Sequence, residues 1–216
     1  MNTNFIETLR SRKSDFPTPE EALDKAHACD IISKDIYTDN TRFVYELLQN
    51  ADDASCKSGK LTFRIDFVGY YLVVSHCGKA FTEDDIESIC SIGDGTKISD
   101  SEQTGFKGIG FKSVFAHSKS VIIKSGDYCF KFDQEESVIW NSKWGDRSAW
   151  EQLRAQKGKD VRVKMPWQVI PINTELPSNV KHLLDGMSEF TVSTILKCRA
   201  VEDMKNSIAE LFPLLN

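Results

Sequence analysis

The sequence has no long hydrophobic run, no C-x-x-C pair, no internal repeat and no low-complexity tract. Because a transmembrane helix needs about 20 consecutive apolar residues, none is predicted. The first 19 residues are polar and lack the apolar centre of a secretory leader, so we expect a cytoplasmic protein. Reduced, mostly buried thiols are expected, with zinc or disulfides as the alternative, for the six cysteines: Cys29, Cys56, Cys77, Cys90, Cys129 and Cys198.

Basic residues are outnumbered, because 27 Lys and Arg stand against 32 Asp and Glu and give a net charge of −5. Nucleic-acid surfaces rely on clustered Lys and Arg, so we expect no direct nucleic-acid site. The lack of a long apolar run likewise leads us to expect no membrane partner. A chain of 216 residues with 40% hydrophobic content is long enough to bury one substantial core. We assign residues 1–19 to a flexible N-terminal arm and residues 20–216 to a single domain.

Hydrophobic periodicity predicts helices interspersed with paired strands. The predicted helices cover residues 20–32, 41–57, 83–92, 148–156 and 201–212. The predicted strands cover residues 61–67, 70–75, 120–124, 128–132, 161–165 and 191–198. Neighbouring strand pairs with interspersed helices indicate an α+β fold, a two-layer α/β sandwich whose mixed, mostly antiparallel sheet is covered on one face by helices.

The predicted helix over residues 41–57 carries two stripes. One is apolar, and the other contains Glu46, Asn50 and Asp53 at spacings of four and three residues. A carboxylate that deprotonates water, a neutral oxygen ligand for Mg²⁺ and a second carboxylate are the parts of a nucleotide hydrolysis site. The alternative is an ordinary solvated polar face.

A second candidate site is glycine-rich. Gly105, Gly108 and Gly110 fall within six residues, and an amphipathic run over residues 111–115 follows. Glycines before a helix N-terminus allow phosphate groups to approach backbone N–H groups, so the segment is typical of a phosphate-binding loop. A simple turn is the alternative, because the segment lacks the Gly-Lys-Ser/Thr ending of a P-loop and follows no obvious strand. Residues 91–104 are polar, which is typical of a functional or disordered loop.

Four ordered motifs together carry a resemblance. They are Glu46-Leu-Leu-Gln-Asn-Ala-Asp-Asp-Ala54, His76-Cys-Gly-Lys-Ala-Phe81, Gly95-Thr96-Lys97, and residues 105–115, Gly-Phe-Lys-Gly-Ile-Gly-Phe-Lys-Ser-Val-Phe. The chain resembles the GHKL ATPase superfamily, and more closely its sacsin-like branch, over roughly residues 20–135. The resemblance implies a Bergerat-type two-layer sandwich that binds ATP and Mg²⁺.

The resemblance also implies a role for each matching residue. Glu46 matches the general base, Asn50 the Mg²⁺ ligand and Asp53 the acidic position beside the nucleoside. The hinge of a lid over about residues 91–104 is matched by Thr96 and Lys97, although Lys97 is equally typical of a solvated surface. The phosphate-binding loop is matched by Gly105, Lys107, Gly108, Ile109, Gly110, Phe111 and Lys112. Ser193 and Thr194 are the nearest candidates for a strand beside the base.

The chain departs from the superfamily pattern at one strand end. Most members have an Asp-x-Gly motif there, whose carboxylate contacts the adenine amino group, whereas this chain has His76 and Cys77 before Gly78. Gly78 keeps room for the base. A neutral imidazole accepts one hydrogen bond and donates another, so we expect His76 either to replace the carboxylate in part or to face the core or a lid residue. In both cases adenine selectivity is less secure than ATP-type binding.

The resemblance predicts Mg²⁺-dependent ATP binding and slow ATP hydrolysis, with lid closure and a nucleotide-dependent homodimer. Members of the superfamily use a lysine from a following domain, so we expect this chain to be the N-terminal part of a longer protein with downstream domains. Glu46 and the absence of a phosphoacceptor helix disfavour a histidine kinase. The alternative is a catalytically degenerate, nucleotide-gated binding or chaperone-like module.

Overall fold

A computed structural model describes residues 3–35, 42–54, 61–92 and 110–211. Within these ranges the α-helices are α1 Thr3–Ser14, α2 Pro19–Asp35, α3 Arg42–Asp53, α4 Glu83–Ile89, α5 Val114–His117, α6 Arg147–Gln156, α7 Ser178–Asp185 and α8 Val201–Ala209. The strands are β1 Phe63–Val68, β2 Tyr71–His76, β3 Ser120–Ser125, β4 Tyr128–Asp133, β5 Ile172–Asn173 and β6 Val192–Lys197. Short 3₁₀ helices cover Gly110–Ser113, Ser142–Trp144 and Trp167–Val169.

The six strands form one sheet in the order β1-β2-β6-β3-β4-β5, and every pairing among the described residues is antiparallel. Two-residue turns close the β1–β2 and β3–β4 hairpins. Each turn begins with a glycine at positive φ, Gly69 at 58° and Gly126 at 51°, a backbone region that side chains disfavour. The predicted α+β two-layer sandwich is confirmed.

The principal core lies between one face of the sheet and the helices. Leu72 and Val74 of β2, Val121 and Ile123 of β3, and Leu196 of β6 point to this side, because alternate strand residues share a face. Helices α1, α3, α4, α5 and α8 contribute the apolar residues that cover it. Burial of this layer fixes α3 and α4 over one end of β2 and β6, where the candidate site lies.

The opposite face of the sheet also carries a helix. Val73, Ile122 and Ile195 form a second cluster with Val180 of α7. The prediction that helices cover a single face therefore missed α7. This helix is only eight residues long, and it begins after Pro177 without a side-chain cap, so its local signals are weak.

The N-terminal segment differs from the predicted loose arm, because Thr3–Ser14 form helix α1. Its Ile6 and Leu9 are fully buried in the principal core. Residues 161–165 are not a strand either. Val163 and Met165 are buried there without joining the sheet. The alternation of apolar and polar residues over this segment therefore reflects burial against the core and not strand pairing.

Two further observations concern membrane-spanning helices and the state of the cysteines. No helix of the described ranges is both long and apolar enough to cross a membrane. The five cysteines in those ranges are not joined in disulfides, and all but the half-buried Cys77 are buried. Burial raises the pKa of Cys29 to about 11 and that of Cys90 to about 12, so both thiols stay protonated near neutral pH.

Candidate functional site

Helix α3 is the element that places the predicted catalytic stripe. Its residues Phe43, Val44, Leu47 and Ala51 are buried, so packing fixes the rotation of the helix about its axis. Asn50 and Asp53 then line a cavity at the edge of the buried stripe. The spacing of three residues therefore places these two side chains on the same face of the helix, as predicted.

The cavity has a volume of about 250 Å³ and lies between α3, α4 and the adjoining ends of β2 and β6. Its walls expose more apolar than polar surface, and polar side chains from α3, α4, β2 and β6 also line it. The apolar lining consists of Leu47, Ala54, Val74, Phe81, Ile89, Phe111 and Val192, and the polar lining of Asn50, Asp53, His76, Lys79, Asp85 and Thr194. An apolar slot with a few converging polar groups is typical of a small-molecule site.

Glu46 lies against the main chain of Gly110. A Cβ atom added at Gly110 would overlap the Glu46 carboxylate, so only glycine allows this approach. Nε of Arg42 lies 3.7 Å from Oε1 of Glu46, and the Glu46 side chain is 21% exposed. The structure thus brings the predicted general base to the end of the predicted glycine loop, beside the cavity that Asn50 and Asp53 line.

The end of β2 is held by hydrogen bonds around Gly78. The Gly78 N–H donates to Nδ1 of His76 at 3.2 Å, and the Lys79 N–H donates to the carbonyl of Ala54 at 2.9 Å. A Cβ at Gly78 would lie 2.9 Å from His76 Nδ1, closer than real contacts permit, and 3.1 Å from Ala54, which is a tight contact. Gly78 therefore allows the strand end to pack against the end of α3.

His76 is an uncharged donor in the cavity. Its side chain is 7% exposed, and burial lowers its pKa to about 4, so the imidazole is neutral near pH 7. Because Nδ1 accepts the Gly78 N–H, the single ring proton sits on Nε2. Within the described part of the chain, no group accepts a hydrogen bond from Nε2.

Thr191 is a residue that the sequence analysis placed in a strand without a role in the site. Its hydroxyl donates to the carbonyls of His76 and Gly78, and its N–H also donates to His76. These bonds tie the start of β6 to the end of β2. No sequence signal distinguished Thr191, because its role depends on the pairing of two distant strands.

Lys112 does not line the cavity, contrary to its predicted place in the phosphate-binding loop. It is 2% exposed, and its ammonium donates to the carbonyls of Ile89 and Gln168. Its Nζ also lies 5.6 Å from the ring centroid of Phe115. Burial lowers the pKa of Lys112 to about 8. This lysine ties the end of α4 to the segment at residue 168.

Ser193 also lies away from the cavity. Its hydroxyl shares a 2.8 Å hydrogen bond with that of Ser75 on the opposite face of the sheet. Thr194, the next residue of β6, does line the cavity. Successive residues of a strand point to opposite faces, so only one of these two predicted residues was able to face a ligand.

Phe111 follows Gly110 and is buried in the cavity wall. The other predicted residues of the glycine loop and the lid lie outside the described residues and stay predictions. They are Thr96, Lys97, Gly105, Lys107, Gly108 and Ile109.

Lys79 and Asp85 also line the cavity, although neither was predicted as a site residue. Asp85 forms a capping box with Thr82 at the start of α4. Its proximity to the cavity follows from the docking of α4, which no local pattern encodes. Lys79 was part of the quoted strand-end motif, but its sequence position alone gave no direction for its side chain.

Two comparisons with known proteins bear on this site. The family model described as Sacsin domain matches residues 29–182. Protein NO VEIN of Arabidopsis thaliana is 37% identical over 120 residues, which are 54% of this chain and 4% of that protein. The chain thus spans a small part of the length of this relative. The family match contains every described cavity-lining residue except Val192 and Thr194.

Proposed function

Because the chain belongs to the Sacsin domain family, we propose that its cavity binds ATP with Mg²⁺ and that the domain hydrolyses ATP slowly. One observation carries the proposal: the Glu46 carboxylate lies against Gly110 while Asn50 and Asp53, from the same helix, line the adjoining cavity. A polar stripe that only faced the core or the solvent would not require its glutamate to lie against a glycine.

The cavity fits the parts of a nucleotide. Its apolar walls between Val74, Val192 and Phe111 suit a planar base, and Gly78 keeps the backbone of the strand end compact. The Asn50 side chain offers the neutral oxygen that Mg²⁺ accepts beside phosphate oxygens and water.

The charges of the site explain why a metal is needed. Asp53 and Asp85 line the cavity, and Glu46 lies beside it, whereas Lys79 is the single cation among the described lining residues. A triphosphate placed near three carboxylates is repelled unless a cation offsets its charge. Mg²⁺ would supply that charge neutralisation, and Glu46 would accept the proton of the attacking water.

We further propose that the domain belongs to the GHKL ATPase superfamily and is one domain of a longer chain. The matched segment of Protein NO VEIN is 4% of that protein, which supports the second statement. In this proposal, ATP binding closes a lid and pairs two copies of the domain, and groups outside it accelerate hydrolysis. Hydrolysis by the isolated domain is then slow.

A second function is a nucleotide-gated module without catalysis. The neutral His76 at the strand end favours it, because it departs from the carboxylate typical of the resembling ATPases. Glu46 argues against it, because a general base has no use in a site that only binds. Turnover separates the two functions.

Thermal unfolding with and without ligand tests binding. Mg²⁺-ATP at 100 times its Kd should stabilise the folded domain by about 2.7 kcal/mol, because only the folded state binds it. We expect most of this stabilisation to disappear without Mg²⁺ and in Asn50→Ala. Asn206→Ala, at an exposed position of α8, is the matched control. No shift with any nucleotide would refute the proposal.

Phosphate release tests catalysis. Loss of a general base costs on the order of 10²–10⁴-fold in rate, so Glu46→Gln should abolish the slow turnover and leave Mg²⁺-ATP binding intact. Binding without turnover in the unaltered protein, even when two copies pair, would favour the gated module.

A further inference from the structure

Residues 161–165 alternate in burial as a strand does, but they pair with no strand of the described sheet. Val163 and Met165 are buried, Lys164 between them is half-buried, and Arg162 is exposed. The main-chain groups of the first four of these residues make no main-chain hydrogen bond to any described part of the chain. Such a segment is open to strand addition, because a peptide that pairs with it satisfies groups that lack main-chain partners.

A cavity of about 470 Å³ lies beside this segment. Val163 and Met165 contribute to its wall, together with Ala26, Val138 and Trp167. Val138 is 44% exposed, so apolar surface is accessible there. The cavity therefore suits one apolar side chain of an added strand, since strand addition gains its specificity from pockets for alternate side chains.

Positive charge is concentrated around the same segment. Residues 157–164 contain one carboxylate, Asp160, and four cations, which are Lys157, Lys159, Arg162 and Lys164. Within the described ranges of the chain, the three lysines form no salt bridge. The whole chain has a net charge of −5, so this excess of cations is a local feature and not a consequence of overall composition.

The carboxylates near the segment do not cancel this charge. Asp160 accepts a hydrogen bond from the Arg162 side chain at 2.7 Å. Asp30 lines the cavity and already accepts a side-chain hydrogen bond at 2.8 Å. Glu135 and Lys119 both line the cavity and offset each other in charge. Among the residues that line the cavity or belong to 157–164, five cations therefore stand against three carboxylates.

We propose that segment 161–165 is a docking edge for an extended, acidic segment of another protein. The partner adds a strand along the main chain of the segment, places an apolar side chain in the adjoining cavity and sets its carboxylates against the lysines. A second copy of this chain does not fit, because two paired copies of the segment would set cations against cations. The docking edge shares no lining residue with the cavity beside Asn50, so it goes beyond the proposed nucleotide site and does not depend on it.

Fluorescence anisotropy tests the proposal with a labelled peptide of alternating valine and glutamate, about eight residues long, which is the length of an ordinary strand. One control peptide replaces glutamate with lysine, and another keeps the sequence but has N-methylated main-chain amides. We expect the Kd of the first peptide to be at least tenfold lower than that of either control. No binding, or equal binding of the lysine peptide, would overturn the acidic docking edge.

The N-methylated peptide separates strand addition from simple charge attraction, because it keeps every carboxylate but cannot donate main-chain hydrogen bonds. Equal affinity for the methylated and unmethylated peptides would refute strand addition. A single-stranded oligothymidine that binds as tightly as the valine–glutamate peptide would indicate a general anion surface and would also overturn the proposal.

The double variant Lys159→Glu with Lys164→Glu tests the location. We expect the Kd of the valine–glutamate peptide to rise about tenfold, because each substitution replaces an attraction with a repulsion. Lys181→Glu with Lys197→Glu is the matched control, since it changes the net charge equally at exposed positions of α7 and β6. Equal weakening in both double variants would show that only the overall charge matters, and would contradict the assigned edge.

Amide hydrogen exchange in the unaltered protein gives a second readout that needs no substitution. Exchange at residues 161–165 should slow when the valine–glutamate peptide is bound, because new main-chain hydrogen bonds protect these amides. Unchanged exchange there, while the peptide is bound, would place the peptide elsewhere and overturn the proposal.

Discussion

Gly110 and Glu46 pack directly against each other at the candidate site. The contact depends on the absence of a Cβ atom, because an added one would overlap the carboxylate. Gly110 does not have positive φ, so its backbone tolerates alanine. The steric conflict therefore falls on the end of a flexible glutamate side chain, which can move aside.

We predict that Gly110→Ala displaces Glu46 and removes hydrolysis while it leaves folding nearly unchanged. The free energy of unfolding should change by less than about 1 kcal/mol, because a side-chain rotation relieves the overlap. Phosphate release and thermal unfolding measure the two effects. Gly186→Ala is the matched control, since a Cβ there meets the Leu183 carbonyl at an ordinary 3.6 Å. Full turnover in Gly110→Ala would contradict the assigned role of Glu46.

His76 makes stability depend on pH. An unfolded histidine titrates near pH 6.5, whereas burial lowers the pKa of His76 to about 4 in the folded state. Between these values the unfolded state binds a proton that the folded state does not, so the free energy of unfolding falls as the pH is lowered from about 6.5 to about 4. The full shift corresponds to about 3 kcal/mol.

The variant His76→Gln should lack this contribution. Chemical denaturation at pH 7 and at pH 4.5 measures it as the difference in pH dependence between the variant and the unaltered protein. We expect the variant to lose less stability on acidification. The same loss in both proteins would show that His76 is not the buried neutral group described above.

At the scale of elements, local signals predicted those helices and strands whose patterns are strong. The apolar stripe predicted for residues 41–57 is the buried face of α3, and the strand pairs predicted at 61–67 with 70–75 and at 120–124 with 128–132 are the two hairpins. Helix α7 was missed because it has only eight residues and begins without a side-chain cap, and helix α1 because it has few apolar residues and is held by the burial of Ile6 and Leu9. Residues 161–165 were wrongly assigned to a strand because burial against the core also produces alternation.

The site was predictable to the extent that helix and strand geometry determines it. Asn50 and Asp53 were identified because spacings of four and three residues define one face of α3. Lys112 and Ser193 were predicted to contact the ligand because of their positions in a motif and in a strand. Their side chains instead bond to the Gln168 carbonyl and to the Ser75 hydroxyl, away from the cavity. Side-chain direction depends on the docking of neighbouring elements, which a local pattern does not contain.

Helix α1 provides a prediction for an element that the sequence analysis treated as a loose arm. Leu9 is 1% exposed in the principal core, so Leu9→Ala should reduce the free energy of unfolding by about 2–5 kcal/mol. Ser11→Ala, at an exposed position of the same helix, should have little effect. Denaturant unfolding measures both. Equal stability of the two variants would indicate that α1 is not part of the folded domain.

For the whole molecule, the proposed function predicts association that depends on the nucleotide. The chain has a mass of 24.4 kDa, so pairing in Mg²⁺ and a non-hydrolysable ATP analogue should double the mass found by light scattering. Asn50→Ala should remain at the mass of one chain under the same conditions. A single-chain mass for the unaltered protein at saturating analogue would contradict pairing, although not binding.

The most direct test of the proposed site is a crystal structure of the domain with Mg²⁺ and a non-hydrolysable ATP analogue. We predict the metal at the Asn50 side-chain oxygen, the phosphates between α3 and Gly110, and the base beside His76. A cavity that stays free of nucleotide in crystals grown at saturating analogue, or a nucleotide bound elsewhere on the domain, would contradict the account.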